Sequence, residues 1–417
     1  MADDHQRSHF DTLAVTYGEE PTPGDPMTGD VVSPIHLAST YALPGLDTEM
    51  SLDDLDPDSG DFVYSRLSNP TRHAVEQRLA ALEGGEHGFA LSSGTAAIFT
   101  LALSVLQPGD HVVAFDDLYA GTRRMFEEVL ESRLGVDVEF VDATDTEIVA
   151  DAIDSGTALV WMESPTNPRM NMCDIDAIAE LATAADAVFG VDNTFMSPYF
   201  QNPLELGADV VAHSTTKYLN GHSDSVGGAL VTDDDALAEE LAFLQQVGIG
   251  DMLAPFDSYL LLRGMKTLPM RMDRHETNAM AVAEFLEGHE LVDAVHYPGL
   301  DSYPQSDLAD KQVSGYGGIL SFELAGGIED AKRFLEALEE FTLAVSVGGV
   351  ESLVELPAGM THEPLAREER EALGITDTLV RASVGVEHTA DLLADLERGF
   401  DAMVEGAAFE SPPAADD

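Results

Sequence analysis

One lysine is the main candidate for a catalytic residue in this chain. Residues 208–228, ADVVAHSTTKYLNGHSDSVGG, run from an apolar stretch through hydroxyl residues into Lys217 and a glycine-rich turn, and only four lysines occur among the 417 residues. Burial lowers the pKa of an amine in such a place, and Ser214 and Thr216 offer hydroxyls to a phosphate. The pattern suits a Schiff base from Lys217 to pyridoxal 5'-phosphate (PLP). The alternative is an exposed surface lysine, the usual place for this residue type.

An aspartate and the start of a helix provide the other groups that this cofactor needs. Asp192 ends the apolar run VFGVD, and ligands in open α/β sheets bind at the carboxyl ends of strands. A carboxylate there can keep the pyridine nitrogen protonated, although a turn or cap role is the alternative. The segment SSGTAAIFTLALSVL places Ser93, Gly94 and Thr95 directly before a helical pattern. Backbone N–H groups and the helix dipole favour phosphate there, while helix capping alone also explains Ser93 and Thr95.

Ten motifs between residues 31 and 397 occur in a fixed order. They are YSRLSNPT, SSGTAA, DLYAGT, ESPTNP, VDNTF, HSTTKYLNGHSD, PFDSYLLLRGMKTLPMRM, YPGLDSYPQ, SVGGVESL and VRASVGVE. In these motifs the chain resembles the Cys/Met-metabolism (trans-sulfuration) family of PLP-dependent enzymes. That family includes cystathionine γ-synthase, cystathionine γ- and β-lyase, methionine γ-lyase and O-acylhomoserine sulfhydrylase. Within it, the chain is most similar to cystathionine γ-synthase and cystathionine γ-lyase.

The resemblance implies a role for each residue of a cofactor site. The cofactor-binding set is Tyr64, Arg66, Ser93, Gly94, Thr95, Tyr119, Asp192, Thr194, Ser214, Thr216 and Lys217, with Lys217 and Tyr119 catalytic. In the family, the residue matching Tyr119 stacks on the pyridine ring and moves a proton to the departing sulfur. The residues matching Tyr64 and Arg66 reach the phosphate of the adjacent subunit, so the active site would be complete only in an oligomer. Thr95 stands where the family more often has methionine, and Ala120 replaces the first glycine of a pair.

An arginine is the candidate for binding the substrate's α-carboxylate. Its planar and permanently charged guanidinium can hold a carboxylate through two hydrogen bonds. The resemblance assigns this role to Arg381, with Asn167 and Ser346 as helpers. The strand neighbours of Arg381 are apolar, which predicts little compensating charge around it.

Two positions bear on the distal part of the substrate. Arg124, five residues after Tyr119, matches an arginine that cystathionine-handling members use near this part. Val345 stands where many cystathionine γ-enzymes have glutamate and where methionine γ-lyases have valine. A guanidinium pairs well with the second carboxylate of cystathionine, so we give Arg124 more weight. Gly359 replaces the serine of a family SMTH pattern, with no consequence that the sequence allows us to derive.

Composition limits the class of protein and its partners. The chain has 77 acidic and 20 basic residues, a formal charge of −57, with a hydrophobic fraction of 44%. A folded enzyme with so acidic a surface is typical of a halophile, where salt screens the repulsion, and an ordinary acidic cytosolic protein is the alternative. Nucleic acid and anionic membranes are poor partners for this charge. No apolar stretch is long enough to span a bilayer, so we expect a cytoplasmic protein.

The cysteine and histidine pattern predicts no metal site. A single cysteine, Cys173, excludes an intramolecular disulfide and a cysteine-cluster metal site. The thirteen histidines show no HExxH or other paired spacing. We interpret Cys173 as a small packing residue rather than a nucleophile.

The chain divides into three segments. Residues 1–62 are turn-rich and acidic, and we interpret them as an extended N-terminal arm. In residues 63–256, helical patterns alternate with seven apolar runs, which predicts a PLP-binding α/β domain with a mostly parallel sheet. Residues 257–417 predict a smaller α+β domain. The resemblance implies the same architecture, that of a fold-type I PLP-dependent transferase.

The resemblance also implies the reaction and the assembly. We expect γ-replacement or γ-elimination on amino acids derived from homoserine or homocysteine, as in cystathionine γ-synthase or γ-lyase. Methionine γ-lyase and O-acetylhomoserine sulfhydrylase are the related alternatives. A catalytically silent oligomeric scaffold of the same fold is the alternative from another class. We expect a homotetramer built as a dimer of dimers, with amino acids as small-molecule substrates.

Overall fold

The computed structural model describes residues 9–19, 30–43, 57, 60, 62–361 and 367–410. Much of the predicted arm, residues 1–62, therefore lies outside the described residues, and its reach towards a neighbouring subunit stays a prediction. Its described parts include helix α1 (Phe10–Thr16) and a short antiparallel bridge between Thr40 and Tyr64. Within the described ranges, no helix has both the length and the apolar character that crossing a bilayer requires.

A seven-stranded sheet forms the centre of the larger half of the molecule. Its strands are β1 (His87–Leu91), β2 (His111–Phe115), β3 (Asp137–Val141), β4 (Thr157–Glu163), β5 (Val188–Asp192), β6 (Val210–Ser214) and β7 (Gly228–Thr232). Their order across the sheet is β1-β7-β6-β5-β4-β2-β3, and only β7 runs antiparallel to its neighbours. All seven predicted apolar runs form these strands, and the prediction of a mostly parallel sheet is confirmed. Because five adjacent strands are parallel, their carboxyl ends meet at one edge.

Helices cover this sheet and connect its strands. They are α2 (Pro70–Glu83), α3 (Gly94–Val105), α4 (Ala120–Met125), α5 (Thr146–Ala152), α6 (Ile175–Ala185), α7 (Ser197–Phe200) and α8 (Asp235–Phe243). Helices α4 and α8 continue as π-helical segments over Phe126–Leu134 and Leu244–Gly248. The core between the helices and the sheet includes the fully buried Phe115, Trp161 and Phe189. Burial of each such side chain stabilises the fold by about 1.5–3 kcal/mol.

A second sheet of five strands forms the centre of the C-terminal part. Its strands are β8 (Val292–His296), β9 (Ile319–Leu324), β10 (Thr342–Leu343), β11 (Leu353–Glu355) and β12 (Leu379–Ser383), in the order β10-β11-β12-β9-β8. Its helices are α9 (Pro255–Met265), α10 (Leu268–Glu287), α11 (Ser306–Gln312), α12 (Ile328–Ala337), α13 (Arg367–Ala372) and α14 (Thr389–Glu410). Apart from the β10–β11 pair, the strands are antiparallel. The sequence does not predict strands β10 and β11 individually, because two or three residues carry no readable alternation.

Residues from both halves share one buried cluster. Tyr218 follows β6, Met272 lies on α10 and Val347 precedes β11, and all three belong to this cluster. The loop before β11 thereby lies against the turn after β6, at the carboxyl edge of the first sheet. The predicted boundary between residues 256 and 257 falls within the first turn of α9, which begins at Pro255, and the division into domains stays a proposal.

Candidate active site

A cavity of about 470 Å³ lies at the carboxyl edge of the seven-stranded sheet. Twelve of the fifteen residues that the sequence analysis named for the site line it, namely Ser93, Gly94, Thr95, Tyr119, Asn167, Asp192, Thr194, Ser214, Thr216, Lys217, Ser346 and Arg381. Parallel strands bring these residues together because their carboxyl ends share an edge. The C-terminal part completes the wall with Ser346 and Arg381.

Lys217 lies in the turn after β6, and hydrogen bonds to the carbonyl groups of this turn fix its backbone. The carbonyl oxygens of Tyr218 and Leu219 accept hydrogen bonds from the buried Arg271 guanidinium at 2.7 and 3.4 Å. The carbonyl of Lys217 accepts from the N–H of Gly221 at 2.7 Å, which closes the turn. The amine of Lys217 is therefore aimed into the cavity from a fixed backbone.

The environment of the Lys217 amine makes it less basic than a free lysine. Burial lowers the pKa of Lys217 to about 8, the charge of Arg381 acts in the same direction, and Glu355 acts against both. The neutral amine is the nucleophilic form, and it is substantially populated when the pH is close to this pKa. The amine donates a hydrogen bond to the Ser346 hydroxyl at 2.6 Å.

Asp192, at the last position of β5, is held by the next turn. Its Oδ1 accepts from the backbone N–H of Thr194 at 3.0 Å and from the Thr194 hydroxyl at 2.5 Å. The same hydroxyl accepts from the N–H of Ser214 at 2.8 Å, which ties β5 to β6. Burial raises the pKa of Asp192, and the hydrogen bonds from Thr194 oppose that rise. Among the described residues, none donates to Oδ2, so this oxygen is available for a ring nitrogen.

Helix α3 points its N-terminus at the cavity. Ser93 is its N-cap, and the Ser93 hydroxyl accepts from the N–H of Ala96 at 3.1 Å. The capping alternative thus describes the Ser93 side chain. The N–H groups of Gly94 and Thr95 have no partner within the helix, as is general for a first turn. A Cβ on Gly94 would lie only 3.0 Å from that of Ser214, so glycine permits this close packing.

Tyr119 covers one side of the cavity and is held by its backbone. The Tyr119 N–H donates to Glu163 Oε2 at 2.9 Å. A Cβ on Gly121 would lie 2.4 Å from the Tyr119 ring, so the retained glycine of the family's pair is the one that the ring contacts. The tyrosine side chain remains 46% exposed and free to contact a bound ring.

Arg381 is buried on β12 and has three partners. Nη1 donates to Asn167 Oδ1 at 2.7 Å and pairs with Glu355 Oε1 at 3.1 Å, while Nη2 donates to the carbonyl of Ser346 at 3.0 Å. The prediction of little compensating charge around Arg381 is wrong. Glu355, on the adjacent strand β11 and in register with Arg381, is fully buried and supplies that charge. Apolar neighbours along one strand reveal nothing about the strand beside it.

Three of the named residues lie outside this cavity. Arg124 has a 69% exposed side chain and pairs with Glu128 at 3.1 Å. Tyr64 is 44% exposed, and the Arg66 guanidinium lies 5.8 Å from the centre of its ring. Arg66 also donates to the carbonyl of Gln246. The predicted contacts of Tyr64 and Arg66 are with a neighbouring subunit, so these two residues stay predictions.

Sequence reasoning missed two buried carboxylates of the site. Glu163 lines the cavity and Glu355 contacts Arg381, and neither was assigned a role. Glu163 had a readable signal, because it ends the apolar strand ALVWME as Asp192 ends VFGVD. Glu355 had only a weak signal, an acidic residue between apolar residues in LVELP.

Two reactive-looking groups outside the cavity have ordinary structural explanations. Burial raises the pKa of Cys173 to about 12, so its thiol is protonated at neutral pH and fits the predicted packing role. Among the described residues, Glu86, His87 and Asp235 are close enough together to hold a metal ion. Two of the three are exposed, and His87 pairs with Asp235 at 2.9 Å. Exposed acidic groups of this kind need no metal to explain them.

The chemistry of the cavity fits PLP. An amine, a carboxylate oxygen and a helix N-terminus suit the aldehyde, the ring nitrogen and the phosphate of this cofactor, respectively. In this cavity Lys217, Asp192 and the first turn of α3 provide those groups, and Tyr119 provides a ring contact. A volume of about 470 Å³ lies within the range of small-molecule sites.

Similar proteins point to the same chemistry. A family model described as Cys/Met metabolism PLP-dependent enzyme matches residues 11–401. The cystathionine β-lyase of Coxiella burnetii is 49% identical over 397 residues, which are 95% of this chain and 99% of that protein. The cystathionine γ-lyase of Dictyostelium discoideum is 46% identical over 377 residues, covering 90% and 94% of the two chains. The solved structure of cystathionine γ-synthase from Xanthomonas oryzae pv. oryzae, in complex with aminoacrylate and cysteine, matches with a TM-score of 0.89 at 41% identity, covering 95% and 99%.

These similarities confirm the predicted α/β fold of fold-type I, and they confirm PLP as the cofactor. The relatives carry three activity names, so family membership alone leaves the reaction open among them. A match over nearly the whole chain, together with a cavity that fits the cofactor, assigns this protein to the Cys/Met metabolism family of PLP-dependent enzymes.

Proposed function

We propose that this enzyme acts at the γ-carbon of amino acids derived from homoserine or homocysteine, as a cystathionine γ-lyase or cystathionine γ-synthase. The observation that carries the proposal is the convergence of Lys217, Asp192, Tyr119 and Arg381 on one cavity. A scaffold without catalytic activity would have no need to keep a low-pKa amine beside a buried arginine. The following paragraphs derive what each side chain contributes.

Three side chains act on the cofactor and the reacting carbons. Bound PLP supplies an electron sink that stabilises negative charge at the substrate α-carbon. Lys217 would hold the cofactor through its amine and, when that amine is free, would move the substrate α-proton as a general base. Asp192 would keep the ring nitrogen protonated. Tyr119 would contact the ring, and its hydroxyl would give a proton to the departing sulfur.

Arg381 binds the substrate carboxylate through guanidinium N–H groups that do not donate to other described residues of the protein. Of its five N–H groups, one on Nη1 donates to Asn167 and one on Nη2 donates to Ser346, while Nη1 also forms an ion pair with Glu355. The Nε–H has no partner among the described residues although it is buried. Nε–H lies on the same edge of the guanidinium as one Nη2–H, and a carboxylate can approach along this edge.

Space for the distal part of the substrate lies beside Val345. A recess that shares Thr216, Val226, Val345 and Ser346 with the cavity opens to solvent there, and its other walls include Asp224, Asp257 and Glu351. These carboxylates favour a distal ammonium, which cystathionine carries and methionine does not. They provide negative charge in the recess, although Val345 itself replaces the glutamate that many cystathionine γ-enzymes have.

Methionine γ-lyase activity is the second candidate. Val345 is 57% exposed at the mouth and offers an apolar contact to a methylthio group. Arg124 pairs with Glu128, so within one chain its charge is not directed into the cavity. Both observations favour a substrate without a distal carboxylate.

We further propose that the active site is completed by a second copy of the chain. Tyr64 and Arg66 match residues that reach a neighbour's phosphate in the family, and both lie outside the cavity of their own chain. Exposed apolar side chains offer a surface for that contact on the arm, just after it, and in and after the π-helical segment that follows α8, and they are Leu37, Leu43, Tyr64, Val247 and Ile249. The predicted homotetramer is part of this proposal.

A substrate panel with product identification tests the reaction. Purified enzyme with PLP is given cystathionine, O-succinylhomoserine with cysteine, O-acetylhomoserine with sulfide, or methionine. The proposal predicts that cystathionine gives cysteine, ammonia and 2-oxobutanoate, or that O-succinylhomoserine and cysteine give cystathionine. Methanethiol from methionine as the main product would replace it with the second candidate. Pyruvate and homocysteine from cystathionine would indicate β-elimination instead.

A further inference from the structure

Glu163 is a buried carboxyl group of the cavity to which no step above assigns a role. It ends β4, is 6% exposed and lines the cavity. Across the sheet it is in register with Asp192 at the end of β5. A carboxyl group so far removed from water is costly unless its oxygens accept hydrogen bonds.

The Glu163 carboxyl group lies between two different loops and accepts a hydrogen bond from the backbone of one of them. Glu163 Oε2 accepts from the N–H of Tyr119 at 2.9 Å, in the loop after β2. The backbone of Asn167, in the loop after β4, also acts on the Glu163 carboxyl group and opposes the rise in its pKa. Glu163 thus connects the backbone of Tyr119 to the start of the loop that carries Asn167, a partner of Arg381.

A second carboxyl group ties the same loops together just outside the cavity. Asp117 Oδ2 accepts from the Thr166 hydroxyl at 2.5 Å and from the Asn171 amide at 2.9 Å. Asp117 belongs to the loop of Tyr119, and Thr166 and Asn171 belong to the loop of Asn167. The two loops are therefore cross-linked twice by buried carboxyl groups.

The connection continues to the substrate side. Asn167 Oδ1 accepts from Arg381 Nη1 at 2.7 Å, so a displacement of the Asn167 backbone moves a partner of the guanidinium. Tyr119, at the other end of the connection, is 46% exposed, and its backbone N–H is held by Glu163. The position of both residues therefore depends on the links that Glu163 and Asp117 make between the two loops.

We propose that Glu163 is a positioning residue, which fixes the loop of Tyr119 to the loop of Asn167 and so sets the cofactor contact and the carboxylate contact together. This inference rests on the roles proposed above for Tyr119 and Asn167. It assigns to Glu163 no contact with the reacting atoms.

The protonation of Glu163 makes a sharp test possible. Burial raises the pKa of Glu163 well above its ordinary range, and the charge of Asp192 acts in the same direction. Both effects favour the neutral acid. Glutamine has nearly the same shape and keeps a carbonyl acceptor, whereas leucine has a similar volume and no acceptor. Glu163→Gln should retain the connection and Glu163→Leu should break it.

The experiment compares both variants with the wild type as holoenzymes. Trp161, two residues before Glu163 on β4, is the only tryptophan in the chain, so its fluorescence reports PLP binding without any turnover. Circular dichroism in the visible band of the bound cofactor reports how the ring is held. The third measurement is KM for whichever amino acid the wild type consumes.

We expect Glu163→Gln to stay within about threefold of the wild type in the PLP dissociation constant and in KM. Glu163→Leu should weaken both by about tenfold or more and reduce the visible dichroism, because the Tyr119 N–H loses its acceptor and the connection between the loops is lost. Asp395→Leu is the matched control, since Asp395 is a buried carboxylate that accepts the N–H groups of Glu340 and Phe341 at 2.9 Å and does not line the cavity. It should lower the melting temperature and leave both constants unchanged.

Three outcomes would overturn the proposal. Glu163→Leu with wild-type dichroism and constants would show that the loops hold without it, and a loss of melting temperature alone would show a purely structural role. Glu163→Gln behaving as Glu163→Leu would show that the charge matters rather than the acceptor. If Glu163→Leu does not fold, Glu163→Met repeats the test with an unbranched chain. None of these outcomes depends on which products the wild type forms, so the proposed function fails or stands separately.

Discussion

The Lys217 amine donates a hydrogen bond to the Ser346 hydroxyl at 2.6 Å, across 129 positions of the sequence. Ser346 also gives its carbonyl oxygen to Arg381 at 3.0 Å. One residue of the C-terminal part therefore contacts both the proposed general base and the proposed carboxylate-binding arginine. Its backbone adopts φ 97°, a left-handed conformation that residues other than glycine avoid. Strain of this kind is typical of functional sites and costs about 1–3 kcal/mol.

Substitution of Ser346 should separate its hydroxyl from its backbone. Ser346→Ala and Ser346→Gly both lose the bond to Lys217, so we expect similar losses of kcat, about tenfold. Glycine relieves the positive φ and alanine does not, so the glycine variant should be the more heat-stable, by about 1 kcal/mol. Thermal unfolding of the holoenzymes beside steady-state kinetics measures both effects. Equal melting temperatures for the two variants would remove the strain argument.

The cofactor should be attached to one lysine only. Borohydride reduction of the yellow holoenzyme, followed by digestion and mass mapping, should place the label on Lys217, whose amine is the one in the cavity. Each of the other three lysines has an acidic partner outside the cavity, and these are Lys266, Lys311 and Lys332. Label on any of them would reject the assignment, and Lys217→Ala is the control that should take up none.

Cofactor capture by the apoenzyme should depend on pH through Lys217. The reactive form is the neutral amine, and with its pKa lowered to about 8, the capture rate should rise with pH through a midpoint near that value. Glu355→Gln removes a charge that raises this pKa, so the midpoint should move down and capture at pH 7 should become faster. Stopped-flow absorbance across pH follows the reaction. An upward or unchanged midpoint in Glu355→Gln would contradict this account.

The same residues illustrate what sequence reasoning can and cannot find. The carboxyl ends of strands are readable because apolar runs stop at polar residues, and Asp192 and Lys217 were found in that way. Glu355 was missed because its role depends on the pairing of β11 with β12, which no local pattern records. Arg124, Tyr64 and Arg66 came only from family motifs. Their partners lie outside the cavity of a single chain, so motif matching could name them without locating them.

Lowering the salt concentration should reduce the activity of the enzyme, its cofactor binding and its oligomerisation. A formal charge of −57 repels itself in dilute buffer, and screening over about 3 Å in 1 M salt removes most of that repulsion. We expect oligomers, bound PLP and activity to be lost together as salt is lowered from molar to about 0.01 M. Light scattering, cofactor absorbance and activity on one salt series measure the three quantities. A fully active monomer at low salt would contradict both the halophilic and the shared-site predictions.

Substitution of Arg124 tests which substrates the enzyme prefers. A guanidinium that reaches a distal carboxylate contributes about 1.5–3 kcal/mol, so Arg124→Leu should lower kcat/KM for cystathionine and O-succinylhomoserine by about tenfold to a hundredfold. The values for methionine and O-acetylhomoserine, which lack that carboxylate, should change little.

Arg367→Leu is a matched control for this substitution. Arg367 is 65% exposed and pairs with Glu371 at the same spacing at which Arg124 pairs with Glu128, and it does not line the cavity. Arg367→Leu should leave kcat/KM unchanged for all four substrates. This control distinguishes the loss of a surface ion pair from the loss of a substrate contact. To bind substrate, Arg124 must leave Glu128, an exposed pair worth no more than about 0.5 kcal/mol, so the exchange is favourable. If the wild type prefers methionine or O-acetylhomoserine and Arg124→Leu leaves the ranking unchanged, Val345 rather than Arg124 determines the substrate.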